Sequence, residues 1–143
     1  MSARPQVPPP VLDRLSAICG ALPEAYEEAA WVGVRWRVRR DTFAHVLMLS
    51  DGWPPAYARA AGQDGPACLL TFRSWDREFD PPEFSAAPFF RPPWLPNIVG
   101  LVLDGWEDWE ALSRHIEVSW RVMAPHALVA RLDAQTRRAP DSA

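Results

Sequence analysis

Four arginines fall within six residues: Arg35, Arg37, Arg39 and Arg40. In an extended strand, residues i, i+2 and i+4 project to one face, roughly 6–7 Å apart for each step of two. Phosphates along a nucleic-acid strand have comparable spacing, so a stripe of this kind suits a phosphate backbone or a smaller anion. Guanidinium adds a planar fork of donors that matches phosphate and carboxylate. Across residues 31–49 four arginines face one aspartate, a local +3 in a chain whose net charge is −3. The competing reading is a solvated strand face, its arginines paired with Glu24, Glu27, Glu28 or the acids of the terminal helices.

A second constellation is aromatic. Trp75, Phe79, Phe84, Phe89, Phe90 and Trp94 lie in a stretch punctuated by Pro81, Pro82, Pro88, Pro92, Pro93 and Pro96. Rings held by proline could line a pocket, meet a protein partner or stack on bases. Trp75, Phe89, Phe90 and Trp94 are the candidates for that role. A connector wrapped around a small sheet also needs large side chains to seal the core, and the same rings could serve there.

Catalytic chemistry finds little to build on. His45, His115 and His126 show no metal-ligand spacing, and no Gly-rich phosphate loop or GxSxG elbow is present. The paired acids Glu27-Glu28 and Asp108/Glu110 fall on faces expected to be solvated. A His45–Cys68 dyad has only co-occurrence in its favour. Cys19 and Cys68 sit in apolar surroundings and read as buried thiols of a reducing cytosol. The expectation is a non-enzymatic protein with no metal and no cofactor.

The elements that must position these residues follow from periodicity. Val11, Leu15, Ile18 and Leu22 recur at helical spacing, and Pro23 stops the helix they mark. Val32, Val34, Trp36 and Val38 then alternate with Gly33 and the arginines, which predicts a half-buried strand with one basic face. After a turn at Arg40-Asp41, residues 42–49 are apolar on both faces and read as a central strand. Asp51-Gly52-Trp53-Pro54-Pro55 is strong turn chemistry. A third strand follows over residues 67–73, with Cys68, Leu70 and Phe72 on one face. The Pro-rich connector has room for a short helix near residues 83–87 before a fourth strand at 98–103.

Asp104 and Glu107 have the spacing of a capping box. The helix beyond them places Trp109, Leu112, Ile116, Trp120 and Met123 on one apolar stripe, read as core. Pro125 breaks it and opens a last helix through Leu128 and Leu132. The fold class is α+β: an antiparallel sheet of about four strands, with the N-terminal helix and two C-terminal helices on one side. Residues 1–9 read as a flexible arm, 10–133 as one domain and 134–143 as a polar tail.

Composition sets outer bounds. The chain has 143 residues, 48% of them hydrophobic, which is enough for a core without staples. No apolar run reaches the length of a membrane span, and Met1 to Pro10 lacks the pattern of a secretory signal, so the expected location is cytoplasmic. All fifteen basic residues other than histidine are arginine. The acidic total argues against coating nucleic acid by bulk charge.

Four segments together resemble a known family. Cys19-Gly20-Ala21-Leu22-Pro23-Glu24 is similar to its opening C-x-x-L-P, and Arg37 to Ala44 resembles its f-R-V-g-x-K-x-F-A hairpin. Asp80-Pro81-Pro82-Glu83-Phe84 resembles the D-P-e-x-F start of its short helix. Ser119 to Pro125 is similar to its closing S-Y-R-l-v-a-P/k. In order and spacing these resemble the MmcQ/YjbR family over roughly residues 11–132.

That resemblance implies a YjbR-like α+β fold, similar to CyaY and to a phage double-wing domain, and a DNA-binding label that leans on fold likeness. Asp41 stands where the family's hairpin has lysine, and His126 where it has a basic residue. Both changes remove positive charge expected to face phosphate. The functional expectation is thus a binding module with DNA as partner through the arginine hairpin. The alternative is a protein-partner or small-anion binding domain that uses the aromatic connector and the same arginines.

Overall fold

The structure is a computed structural model that describes residues 5–76, 80–105 and 107–138. Phe79, one of the connector aromatics, lies outside them, as do parts of the expected arm and tail.

Helix α1 (Pro9–Gly20) begins on proline, whose fixed φ suits a first turn, and buries Leu15 and Cys19. Strand β1 (Ala25–Ala29) then pairs antiparallel with β2 (Val34–Val38), and β2 with β3 (Asp41–Leu49). Helix α2 (Pro55–Ala61) leads to β4 (Ala67–Arg73). A 3₁₀ turn at Pro82–Ser85 precedes the two-residue strand β5 (Phe89–Phe90), then β6 (Ile98–Leu103), α3 (Trp109–Met123) and α4 (His126–Arg138). The sheet is antiparallel throughout, in the order β1-β2-β3-β4-β6-β5.

Alternation divides the sheet into two unlike faces. On one face Trp36, Val46, Leu70, Phe72 and Val99 pack beneath Leu15, Cys19, Ile116, Trp120, Leu128 and Leu132 from α1, α3 and α4. Polar atoms carried into this core are satisfied. The Trp36 indole donates to Glu27 at 3.0 Å and the Trp120 indole to the Pro23 carbonyl at 3.2 Å. The other face is covered by α2 over only part of its area, where Ala58 meets Leu47, Leu49 and Leu69. What α2 leaves bare is the floor of the candidate site.

Several sequence expectations change here. The sheet has six strands, not about four, because β1 and β5 add an edge on each side. The three expected helices do share one face, and α2 on the opposite face was not foreseen. Asp108, not Asp104, caps α3: its carboxylate accepts from the Ala111 N–H at 3.0 Å, while Glu107 accepts from Gly105. Val7 packs against the core, so the N-terminal segment is engaged ahead of α1. Helix α4 runs on to Arg138, through residues expected to be a polar tail.

Candidate functional site

The arginine stripe exists only in part. Val38 pairs with Asp41, which leaves Arg39 and Arg40 as a two-residue hairpin turn with Arg39 at φ 57°. Arg39 is therefore not on the strand, and the stripe ends at Arg37. Across the pairing, Glu28 of β1 lies opposite Arg35. Its carboxylate accepts from Arg35 Nε at 2.6 Å and from Arg37 Nη1 at 3.0 Å. Arg37 also donates to the Arg40 carbonyl, and its Nε is buried without a partner. Glu24 sits 3.5 Å from both Arg39 and Arg131. Among the described residues Arg40 alone of the four makes no side-chain ion pair.

The connector aromatics are dispersed rather than gathered. Trp75 is exposed. Phe89 turns to the helical face and packs on Phe84 and His115, with ring centroids 5.0 and 6.1 Å away. Phe90, its neighbour in a strand, turns to the opposite face and covers Gly100. Trp94 also reaches that face, with its centroid 5.0 Å from Tyr57. The four rings do not form one pocket. Trp94 alone of them joins the arginine Arg35.

Their meeting place is a cleft of about 280 Å³ on the half-covered face. Its floor is a row of paired strand residues, Arg35 opposite His45 and His45 opposite Thr71, with Arg73 two residues beyond Thr71 on the same face. One wall is Trp94 and Leu95 of the connector with Tyr57 of α2; the other is Ala30, Trp31 and Val32 of the β1–β2 loop. That loop is pressed onto β3 by Gly33, at φ 75°, where a Cβ would lie 1.9 Å from the Val46 carbonyl oxygen. The connector is held by a part-buried ion pair, Arg91 to Asp80 at 2.9 Å, with Ser74 donating to the same carboxylate oxygen at 2.8 Å.

The electrostatics favour a negative occupant. His45 donates from Nε2 to the Val32 carbonyl at 2.6 Å, so Nδ1 is left to accept from the Tyr57 hydroxyl at 3.3 Å. Burial holds His45 below its ordinary pKa against the Val32 hydrogen bond, and Arg35 pushes the same way. The same burial raises Tyr57. A neutral imidazole thus separates two cations. Arg73 gives Nη1 to Asn97 at 3.1 Å, and burial lowers its pKa while Asp41 raises it. Thr71 is only 4% exposed, yet its hydroxyl makes no hydrogen bond with any described residue. Among the described residues the fully buried side-chain atom left unpartnered is Arg37 Nε, not this oxygen, so the Thr71 hydroxyl stays open to the cleft and can donate to an occupant.

No catalytic constellation accompanies it. Cys68 lies in the core of the opposite face, and burial, with Glu107, pushes its thiol up to about 12, so the His45–Cys68 dyad does not form. A second hollow of about 400 Å³ lies between β6 and α3, rimmed by acids. Two of those acids, Glu107 and Asp108, already hold backbone N–H groups. The described residues contain no cluster of metal-ligand type, and no helix of theirs is long and apolar enough to cross a membrane.

Thr71, Arg73, Tyr57 and Trp31 were not among the residues singled out from sequence. Two of them had a signal: if Cys68, Leu70 and Phe72 share one face of a strand, Thr71 and Arg73 share the other. Comparison with known proteins yields no match, whether to a family model, to a curated protein or to a solved structure.

Proposed function

We propose that this chain is a non-enzymatic small-anion binding module, of the MmcQ/YjbR type that its motifs resemble. The ligand sits in the cleft between the sheet and α2. The observation that carries this reading is Thr71, 4% exposed and without a hydrogen-bond partner among the described residues, lining a cleft that Arg35 and Arg73 also line. An anion there would receive a hydroxyl donor and guanidinium donors at a site already partly dehydrated, where charge-assisted hydrogen bonds are strongest. Glu28 leaves Arg35 Nη1 unengaged, and Asn97 leaves Arg73 with donors to spare.

DNA binding is the second reading, favoured by one feature: Arg39 and Arg40 stand exposed at the tip of the β2–β3 hairpin. Its reach is shortened by the acids that pair with Arg35, Arg37 and Arg39.

One pair of titrations separates the two. Acetate, benzoate and inorganic phosphate are titrated into the full chain, followed by tryptophan fluorescence, alongside Arg73→Gln and Thr71→Val. At least one anion binds saturably, and each variant weakens it about tenfold, the scale of one lost charge-assisted hydrogen bond. Absence of saturable binding by all three overturns the anion reading. Duplex DNA is titrated in parallel at two salt concentrations. A log–log slope near −3.6, for about four phosphate contacts, cut to about half in the Arg39→Ala/Arg40→Ala double variant, would move the function to the hairpin tip.

A further inference from the structure

We infer that the ligand of this cleft is a planar aromatic monocarboxylate, a class narrower than the anion-binding reading on which the inference rests. Two observations select it.

The first is the walls. Trp31 is 80% exposed and Trp94 39% exposed, both at the rim of this cleft. Each ring has an aromatic neighbour: Trp31 rests against Trp53 with centroids 5.2 Å apart, and Trp94 against Tyr57, itself part of the cleft wall, at 5.0 Å. The indoles are thus braced by neighbouring rings while retaining exposed surface. A flat conjugated body between them gains aromatic contact as well as apolar burial, at little entropic cost, because the walls are already held. A compact anion without such a body leaves both tryptophans in water.

The second is the charge and donor count of the floor. Glu28 is shared by Arg35 and Arg37, so these three groups sum to +1. Arg73 adds a further positive charge, on which Asp41 acts electrostatically without forming an ion pair. The floor is therefore cationic, with Glu28 already answering one of its guanidinium groups. The donors left over are Arg35 Nη1, the remaining guanidinium hydrogens of Arg73 and the Thr71 hydroxyl. They match the two oxygens of a carboxylate. The third oxygen and second charge of a phosphate monoester would meet His45, whose ring nitrogens are both engaged and whose burial disfavours the imidazolium that would answer it.

The test is a panel on the full chain by calorimetry, with tryptophan fluorescence as second readout. Benzoate supplies ring and charge, cyclohexanecarboxylate the charge on a non-planar body, acetate the charge alone, benzyl alcohol the ring alone and phenyl phosphate the ring with more charge. Benzoate binds at least tenfold more tightly than each of the others and quenches tryptophan emission. Trp94→Leu and, independently, Trp31→Ser reduce benzoate affinity toward that of cyclohexanecarboxylate while leaving acetate unchanged. Trp31 is exposed enough that its replacement leaves the fold intact, as circular dichroism checks.

Equal affinity for benzoate, cyclohexanecarboxylate and acetate overturns the inference and leaves the anion reading standing. Tighter binding of phenyl phosphate overturns the monocarboxylate assignment in the same way. Failure of every anion to bind removes both.

Discussion

The Ser119 hydroxyl of α3 accepts the backbone N–H of Arg73 at 2.7 Å, from the face of the sheet opposite to the cleft. The same hydroxyl donates to the Phe43 carbonyl. One buried oxygen therefore ties α3 to β3 and β4 at the place where the β2–β3 register slips. The pairing runs Trp36 to Ala44 and then Arg37 to Thr42, leaving Phe43 as the extra residue of a bulge. Bulged backbone groups lose their ladder partners, and Ser119 supplies the replacement.

Ser119→Ala leaves a buried N–H and a buried carbonyl without that partner. The expected loss of stability is about 2–4 kcal/mol, since each unsatisfied buried group costs about 1–3. A denaturant midpoint measures it. Because Arg73 is positioned through its own backbone, benzoate affinity falls in the same variant even at denaturant-free, fully folded conditions. A stability loss with unchanged affinity would show that Arg73 is held by its Asn97 contact instead.

Glu28 keeps the hairpin arginines from acting as a free cationic stripe. Its carboxyl is held below the usual range first by its hydrogen bond with Arg37, against desolvation as the next largest effect, with Arg35 adding to the lowering. Glu28→Gln removes the charge and keeps the shape. Duplex-DNA binding becomes detectable or tighter in this variant, and its log–log salt slope steepens by roughly 0.9 for each phosphate newly reached. A salt titration of wild type and variant side by side reads the difference. An unchanged slope would mean that neither arginine faces DNA even when released.

How much of this was legible beforehand differs between elements for physical reasons. Strands β2, β3, β4 and β6 and helices α1, α3 and α4 announce themselves by period, because each buries one continuous face. Strand β1, Ala25-Tyr26-Glu27-Glu28-Ala29, has weak β propensity and two adjacent acids. It is a strand because Tyr26 and Glu28 find Arg37 and Arg35 across the ladder, a non-local fact. Helix α2 has seven residues, too short to show a period, and follows Pro54-Pro55, which reads as turn. The arginines were visible as residues, but their partners depend on register, which no spacing within the hairpin reveals. The cleft was hidden for a related reason. It combines Arg35, Thr71 and Trp94 from segments that only the sheet order brings together.

Phe90 and Gly100 make a further pair whose logic is steric. They face each other in register, and a Cβ at position 100 would lie 2.3 Å from the Phe90 ring. Gly100 also neighbours Thr71 across the ladder. Gly100→Ala should cost about 1–3 kcal/mol by overpacking. The Phe90→Ala/Gly100→Ala double variant should be more stable than the sum of the single changes by roughly 1 kcal/mol, as expected for residues in contact. Thermal or denaturant unfolding of the four proteins closes the cycle. Strict additivity would show that the ring does not rest on Gly100 in solution.

The part-buried histidines give stability a pH dependence whose sign follows from their environments. His45 is held below its ordinary 6.5 by burial, opposed by the Val32 hydrogen bond and reinforced by Arg35. His115, stacked on Phe72, is lowered by burial too, with Glu83 and Asp108 opposing and Arg114 adding to the shift. Both folded-state values lie below the unfolded one, so the unfolded chain binds protons first as pH falls. The contribution of neutral histidine is therefore complete above about pH 6.5 and is lost as pH drops from there toward the folded-state pKa. Within that window the slope approaches about 1.4 kcal/mol per pH unit for a fully effective histidine, and less for the more exposed His115. Denaturant midpoints between pH 5 and 8 should decline on the acid side in wild type. The decline should shrink in His45→Gln, whose amide can still donate to Val32, and shrink further in the His45→Gln/His115→Gln double variant. A steeper acid decline in His45→Gln than in wild type would reverse the assignment of a neutral imidazole to the cleft floor.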